Sequence, residues 1–254
     1  MNRFRATNAS PTATGRIALI DLARGLALVA MTAFHFAWDL EMFGLIGPGF
    51  MASAGMILAA RLIAGSFLFL VGVNLVLAHG DGFRAAAFAR RFGQIVAAAV
   101  LITVATWFAT PDAFIFFGIL HSIALGSVLA LAFLRAPWWL TAAAAVAFLT
   151  LREPLRTEWL DAPIWWWTGL SQVVPVTNDY VPLFPFFGPI LLGLAGTQLA
   201  DQQGWLRILS GARLDQAPAR LVRFIGRHSL AYYLLHQPAM IAGLYGFLWL
   251  SGRI

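Results

Sequence analysis

The chain has 254 residues, 60% of them hydrophobic and 11% charged, with a mean hydropathy of +0.78. Soluble domains carry about 25% charged residues, so the composition excludes a soluble globular protein and points to an all-α, polytopic membrane helix bundle. The net charge of +6 rests on arginine alone, with no lysine and no cysteine; this excludes Lys Schiff-base chemistry, disulfides, thiolate metal sites and Cys nucleophiles, and in a membrane chain it reports topology, not nucleic-acid binding.

Residues 1–15, "MNRFRATNASPTATG", are polar and read as a disordered cytoplasmic tail, leaving 16–254 as one membrane domain. About 20 apolar residues cross a bilayer. Seven segments qualify: 17–40, 54–78, 92–110, 114–134, 138–151, 183–200 and 229–250. The first lacks a small-residue cleavage site and reads as a retained span, not a signal peptide. The fifth is short, and the sixth contains Gly188 and Pro189. Residues 152–182 are rich in Trp and Pro and read as an interfacial, extracytoplasmic loop, because Trp favours the headgroup level.

Arginine bias orients this bundle. With the N-terminus cytoplasmic, the inner segments hold Arg3, Arg5, Arg16, Arg84, Arg90, Arg91, Arg135, Arg207, Arg213, Arg220, Arg223 and Arg227, and the outer ones only Arg152, Arg156 and Arg253. Cytoplasmic loops collect basic residues, so the C-terminus is expected outside.

The first span, "LIDLARGLALVAMTAFHFAWDL", carries four costly residues. At 3.6 residues per turn Asp21, Arg24, His35 and Asp39 fall along one face, with Arg24 and His35 about 16 Å apart along the axis. Asp21 can pair with Arg24, and Asp39, four residues after His35, can contact its imidazole. Gly25 lets a neighbouring helix or a ligand approach. A charge at the centre of a membrane helix costs roughly 2.5–3.5 kcal/mol and normally marks a pathway or a site.

The run "IDLARGLALVAMTAFH", with Arg24 and His35 separated by ten residues, resembles the opening helix of transmembrane acyltransferases. With "FLFLVGVNLVLA" (67–78), "FGILHSIALGSVL" (117–129), "FPFFGPILLGLAGTQLA" (184–200) and "GRHSLAYYLLHQPAM" (226–240), the chain resembles the bacterial branch of the heparan-alpha-glucosaminide N-acetyltransferase catalytic-domain family, related to the acyltransferase-3 membrane enzymes. The family's animal members often carry Leu-Gln-Arg in the central motif, where this chain has Leu120-His121-Ser122. The resemblance implies an acyltransferase of a bacterial inner membrane that uses acetyl-CoA (acyl-CoA) as donor and an extracytoplasmic glycan amine or hydroxyl, or another small molecule, as acceptor. No metal is expected.

Acyl transfer needs a base for the acceptor proton and stabilisation of the oxyanion. His35 suits the base, with an ordinary pKa near 6.5, and Asp39 would hold its tautomer. Counting depth from the span ends places His35, Asp39, Arg61 and His121 in the outer half, where Arg61 and His121 would meet the acceptor. Arg24, Asn74, His228 and His236 fall in the inner half. Asp21, Arg24 and Asn74 would then line the donor path, with Arg84, Arg90 and Arg91 or Arg220, Arg223 and Arg227 holding CoA phosphates as bidentate donors. His236 could equally bridge helices. His79 and His228 sit at span ends and are expected in solvent, and Asp179 and Tyr180 would shape an acceptor pocket. Two other classes stay open: a proton-coupled secondary transporter, because buried Asp, Arg and His also form relays, and a haem-binding membrane protein using the five histidines. A homodimer is compatible with all three.

Overall fold

Long apolar runs, interrupted mainly where Gly, Pro and Arg gather, leave the backbone only helix as a way to satisfy its hydrogen bonds in lipid. The computed structural model describes residues 17–80, 82–211 and 214–253; the expected tail over 1–15 and Arg3, Arg5, Arg16 and Arg213 lie outside them. In chain order the helices are α1 (Ala18–Met42), α2 (Ala54–His79), α3 (Ala85–Ala109), α4 (Ile119–Ala130), α5 (Trp138–Thr150), α6 (Arg152–Leu155), α7 (Leu183–Gln202), α8 (Trp205–Ser210), α9 (Ala217–Arg227) and α10 (Ser229–Leu250). The described residues contain no strand, only an isolated bridge between Phe117 and Tyr180.

Each of the seven expected segments contains a helix. Four of them, α1, α2, α3 and α7, are long and apolar enough to cross a membrane, whereas α4 and α5 are shorter apolar helices. Two boundaries move. α3 begins at Ala85, so Arg90 and Arg91 lie on helix and not in the preceding loop. α4 begins at Ile119, because residues 114–118 run extended beside the loop that precedes α7: Val181 N–H donates to the Phe117 carbonyl at 3.1 Å and Asn178 N–H to that of Ala113 at 2.9 Å.

Small residues set the tightest crossings, as is usual where lipid supplies no hydrophobic drive between helices. α7 packs between α2 and α5. A Cβ on Gly72 would stand 1.9 Å from the Ile190 carbonyl oxygen, and one on Gly193 2.0 Å from that of Phe69. Around this seam Leu68, Ile190, Leu191 and Leu194 are completely buried. On the other side of the bundle α9 lies against the start of α1. A Cβ on Gly25 would meet the Val222 oxygen at 2.0 Å, and one on Gly226 the Asp21 oxygen at 2.0 Å. This contact fixes the level from which α10 starts.

Candidate active site

α1 and α10 run side by side and in the same direction, joined by three polar rungs roughly a turn apart along α1. Thr32 Oγ1 and Tyr232 Oη lie 2.8 Å apart, His35 Nδ1 and His236 Nε2 3.0 Å, and Gln237 Nε2 donates to Asp39 Oδ1 at 2.5 Å. The middle rung carries chemical information. His236 Nδ1 lies 2.7 Å from the Tyr233 carbonyl oxygen, which can only accept, so Nδ1 holds the proton of neutral His236. Its Nε2 is then a lone pair, and the hydrogen between the rings sits on His35 Nδ1. A neutral imidazole carries one hydrogen, so His35 presents an unprotonated Nε2 on its far edge. His35 is thereby held in the tautomer a general base requires.

Two expectations about this end of α1 are corrected. The partner of His35 is His236 and not Asp39, whose Oδ1 takes the Gln237 amide while Oδ2 is buried without a hydrogen-bond partner among the described residues. His236 is not at the level of Arg24. Depth counted from the start of the last span misplaces it because α10 starts where α9 has docked, with Gly226 against Asp21, rather than at a fixed distance from a membrane surface. Gln237 was not anticipated. Gln237 is a polar residue beside His236 in an apolar run, which was the available signal.

Eleven residues earlier on α1, Arg24 donates to Asn74 Oδ1 at 3.0 Å and to Asp21 Oδ1 and the Gly226 carbonyl at 3.3 Å each. Asn74 is oriented by its own donation to the Leu70 carbonyl. Asp21 is 2% exposed and also receives Arg227 Nε on Oδ2 at 3.2 Å. One buried carboxylate thus faces two guanidinium groups, which offsets the desolvation of the carboxylate. The inner grouping of Asp21, Arg24 and Asn74 is therefore present as a single network.

A cavity of about 960 Å³ opens beside this network. Its walls come from α1, α2, α3, α4, α9 and α10, and Arg24, Arg84, Arg91 and Arg227 line it without any carboxylate among the described residues. Arg90, Arg220 and Arg223 do not line it; Arg223 Nη1 instead donates to the Leu214 carbonyl at 2.9 Å. The cavity reaches Leu28, Tyr233 and Leu234 and stops short of His35 and His236. His79 belongs to its wall and is only 7% exposed, contrary to the expectation of a solvated histidine, whereas His228 is exposed.

The remaining expected residues do not join the His35 pair. Arg61 is exposed on α2 and makes no hydrogen bond or ion pair among the described residues. His121 serves α4: Gly118 N–H donates to its Nδ1 at 3.2 Å, leaving Nε2–H to face Thr103 Oγ1, also at 3.2 Å. Beside it, Asp179 Oδ2 accepts the Ile119 N–H at 2.8 Å, and burial pushes that carboxyl up to about 6. Tyr180 Oη donates to the Trp166 carbonyl at 2.6 Å, locking the Trp-rich segment in place. Elsewhere in that segment Asp161 Oδ1 accepts from Ser171 Oγ and from the Gln172 and Val173 N–H groups, which hold it below the usual carboxylate range.

The sequence profile of one family, "Heparan-alpha-glucosaminide N-acetyltransferase, catalytic", matches residues 16–238, and so covers α1 through the His35–His236 pair and most of the cavity wall. No curated protein and no solved structure matched the chain. The chain belongs to that family, and with its apolar helices it is an integral membrane protein of the acetyltransferase class.

Proposed function

Proceeding from that family, we propose that the protein transfers an acetyl group from acetyl-CoA, entering on the arginine-lined side, to an amine or hydroxyl acceptor approaching from the side of the Trp-rich loop. The observation that carries this reading is the proton arrangement running from the Tyr233 carbonyl through His236 to His35, which leaves His35 Nε2 as a base. The acceptor N–H or O–H would give its proton to that nitrogen as its heteroatom attacks the thioester carbonyl. The C–S bond then breaks, and the leaving thiolate takes the proton back from the imidazolium as CoA–SH. His236 would hold the Nδ1–H edge throughout and accept a stronger hydrogen bond while His35 is charged.

The arginine balance supports a cytoplasmic position for the cavity mouth and an extracytoplasmic one for the Trp-rich loop, with seven crossings in all. Arg24 lies about 16 Å from His35 along α1, a span suited to the pantetheine arm and not to contact with the reacting carbonyl. Leu28 and Tyr233 line the cavity and His35 does not, so transfer requires the cavity to extend to His35. The facing nitrogens of His35 and His236 bind each other, an arrangement opposite to that of two imidazoles enclosing an iron, and this disfavours the haem reading.

The test is acetyl-CoA binding and turnover by the detergent-purified chain, with His35→Ala alongside. Loss of acetyl transfer with donor binding retained is expected. Equal loss of both would give His35 a structural role, and absence of binding to folded wild-type protein would return transport to the front.

A further inference from the structure

Arg220 and Arg223 do not reach the cavity, and the helix that carries them has a flank that acetyl transfer does not use. α9 holds three arginines among its 11 residues and is more strongly amphipathic than any of the long helices. At 3.6 residues per turn its side chains divide into three sectors. Val222 and Gly226 occupy the first, pressed against α1 at Gly25 and Asp21. Arg220, Arg223 and Arg227 share the second, an arc of about 60°. Leu221 and Phe224 lie in the third, on the other side of the arginines from neither cover nor water-loving groups of their own, and are 63% and 59% exposed.

The three arginines are engaged to different degrees. Arg227 is tied to Asp21, and Arg223 Nη1 donates to the Leu214 carbonyl. Arg220 is exposed and makes neither an ion pair nor a side-chain hydrogen bond among the described residues. The same chemistry recurs on α8, which also touches α1. There Trp205 and Ile208 are 52% and 75% exposed, and Arg207 between them is exposed as well. Neither α8 nor α9 contains an acidic residue.

We propose that the open faces of α8 and α9 bind acidic phospholipid, with headgroup phosphates on Arg207 and Arg220 and acyl chains along Trp205, Ile208, Leu221 and Phe224. Arginine beside Trp, Phe and Leu on one amphipathic helix is the composition that settles at a lipid interface. Guanidinium groups pair with phosphate in bidentate geometry, and basic residues at a membrane surface gain from acidic headgroups. A second copy of the chain fits this face less well. A two-fold contact presents the same patch from both sides, and here it would set arginine against arginine with no carboxylate from either helix between them. Because α9 also carries Gly226 and Arg227 onto Asp21, lipid held on its open flank steadies the level from which α10 starts.

The experiment is native mass spectrometry on the detergent-purified full chain, titrated with an equimolar mixture of phosphatidylglycerol and phosphatidylcholine of matched chains. Wild type should retain phosphatidylglycerol in preference. Arg207→Gln and Arg220→Gln should each lower that preference about fivefold, the factor for one basic residue at an acidic membrane surface. In reconstituted bilayers, phosphatidylglycerol with brominated chains should quench Trp205, read as the difference between wild type and Trp205→Phe. Glycerol phosphate, which has the anion without the chains, should not displace the lipid. Equal retention of the two lipids by wild type, or an unchanged preference in the double variant Arg207→Gln/Arg220→Gln, overturns the proposal. Displacement by glycerol phosphate would reduce the face to an anion site and overturns it too. So does a dimer in neutral lipid that Leu221→Ser with Phe224→Ser dissociates, which would give the face to a second copy. Every readout is taken without acetyl-CoA, so its failure leaves the donor reading standing.

Discussion

Replacing His236 isolates the step from fold to chemistry. Its Nε2 is the acceptor for His35 Nδ1–H, and its Nδ1 is anchored on the Tyr233 carbonyl. His236→Ala removes that acceptor without touching the cavity wall, because neither His236 nor His35 lines it. In the proposed transfer His35 becomes an imidazolium, and a hydrogen bond to a charged group is worth about 1.5–3 kcal/mol. At about 1.36 kcal/mol per decade, this corresponds to roughly a 10- to 150-fold fall in kcat. The KM for acetyl-CoA should change little. His236→Gln, whose side-chain oxygen can accept from the same Nδ1–H, should recover part of the lost rate. The assay is acetyl transfer to a panel of amine and hydroxyl acceptors under saturating donor, with donor affinity measured separately. Wild-type kcat in His236→Ala, or parallel collapse of kcat and donor affinity in both variants, would refute the assignment of the His35 tautomer by His236.

Three further outcomes follow from packing and charge. Gly226→Val would drive side-chain atoms into the Asp21 backbone, where even a Cβ finds the carbonyl oxygen at 2.0 Å; a loss of at least about 1–3 kcal/mol is expected, read as a lower thermal midpoint, and an unchanged midpoint would show that α9 is not docked as described. Leu194→Ala, at a completely buried position between α2 and α7, should cost about 2–5 kcal/mol in denaturant unfolding from detergent, with a cost below that range indicating that the seam collapses to fill the gap. Asp179 holds its proton more tightly in the folded chain, at about 6 against an ordinary 3.8, so its contribution to stability is largest below pH 4 and is lost as pH rises through 6. Asp179→Asn keeps an acceptor for the Ile119 N–H and should flatten that slope; thermal midpoints from pH 4 to 8 check it, and an unchanged slope would assign the dependence to another group.

What the sequence revealed and what it hid divide along a physical line. The polar face of α1 was visible because Asp21, Arg24, His35 and Asp39 are expensive in lipid and share a helical period, properties of one segment. The Asp21–Arg24 contact, three residues apart on that helix, was visible for the same reason. His35 with His236 and Asp39 with Gln237 depend on which helix lies beside α1 and at what height, and no spacing within a segment encodes that. The height was lost because α9 intervenes: its glycine contact with α1, not the bilayer surface, fixes where α10 begins. The same blindness affected the arginines. Bias between loops counts charges without asking where they point, so Arg84 and Arg91 in the cavity wall could not be told apart from Arg220 and Arg223, which do not reach it.

The two levels of α1 now differ in kind. At Arg24 a dense network binds three elements, α1, α2 and α9, through one buried carboxylate and two guanidinium groups, so Asp21 and Arg24 hold the cavity mouth together. At His35 the contacts are three rungs to one neighbouring helix, α10, with a pair of neutral rings in the middle, and Asp39 and Gln237 each keep a buried oxygen without a partner among the described residues. Unmet acceptors in a low-dielectric interior are costly unless a donor arrives. The rigid level therefore suits holding a donor molecule, and the under-satisfied level suits receiving a group that brings hydrogens of its own. That division supports the proposal that the acceptor's N–H or O–H arrives at the His35 end, by an argument independent of the arginine bias.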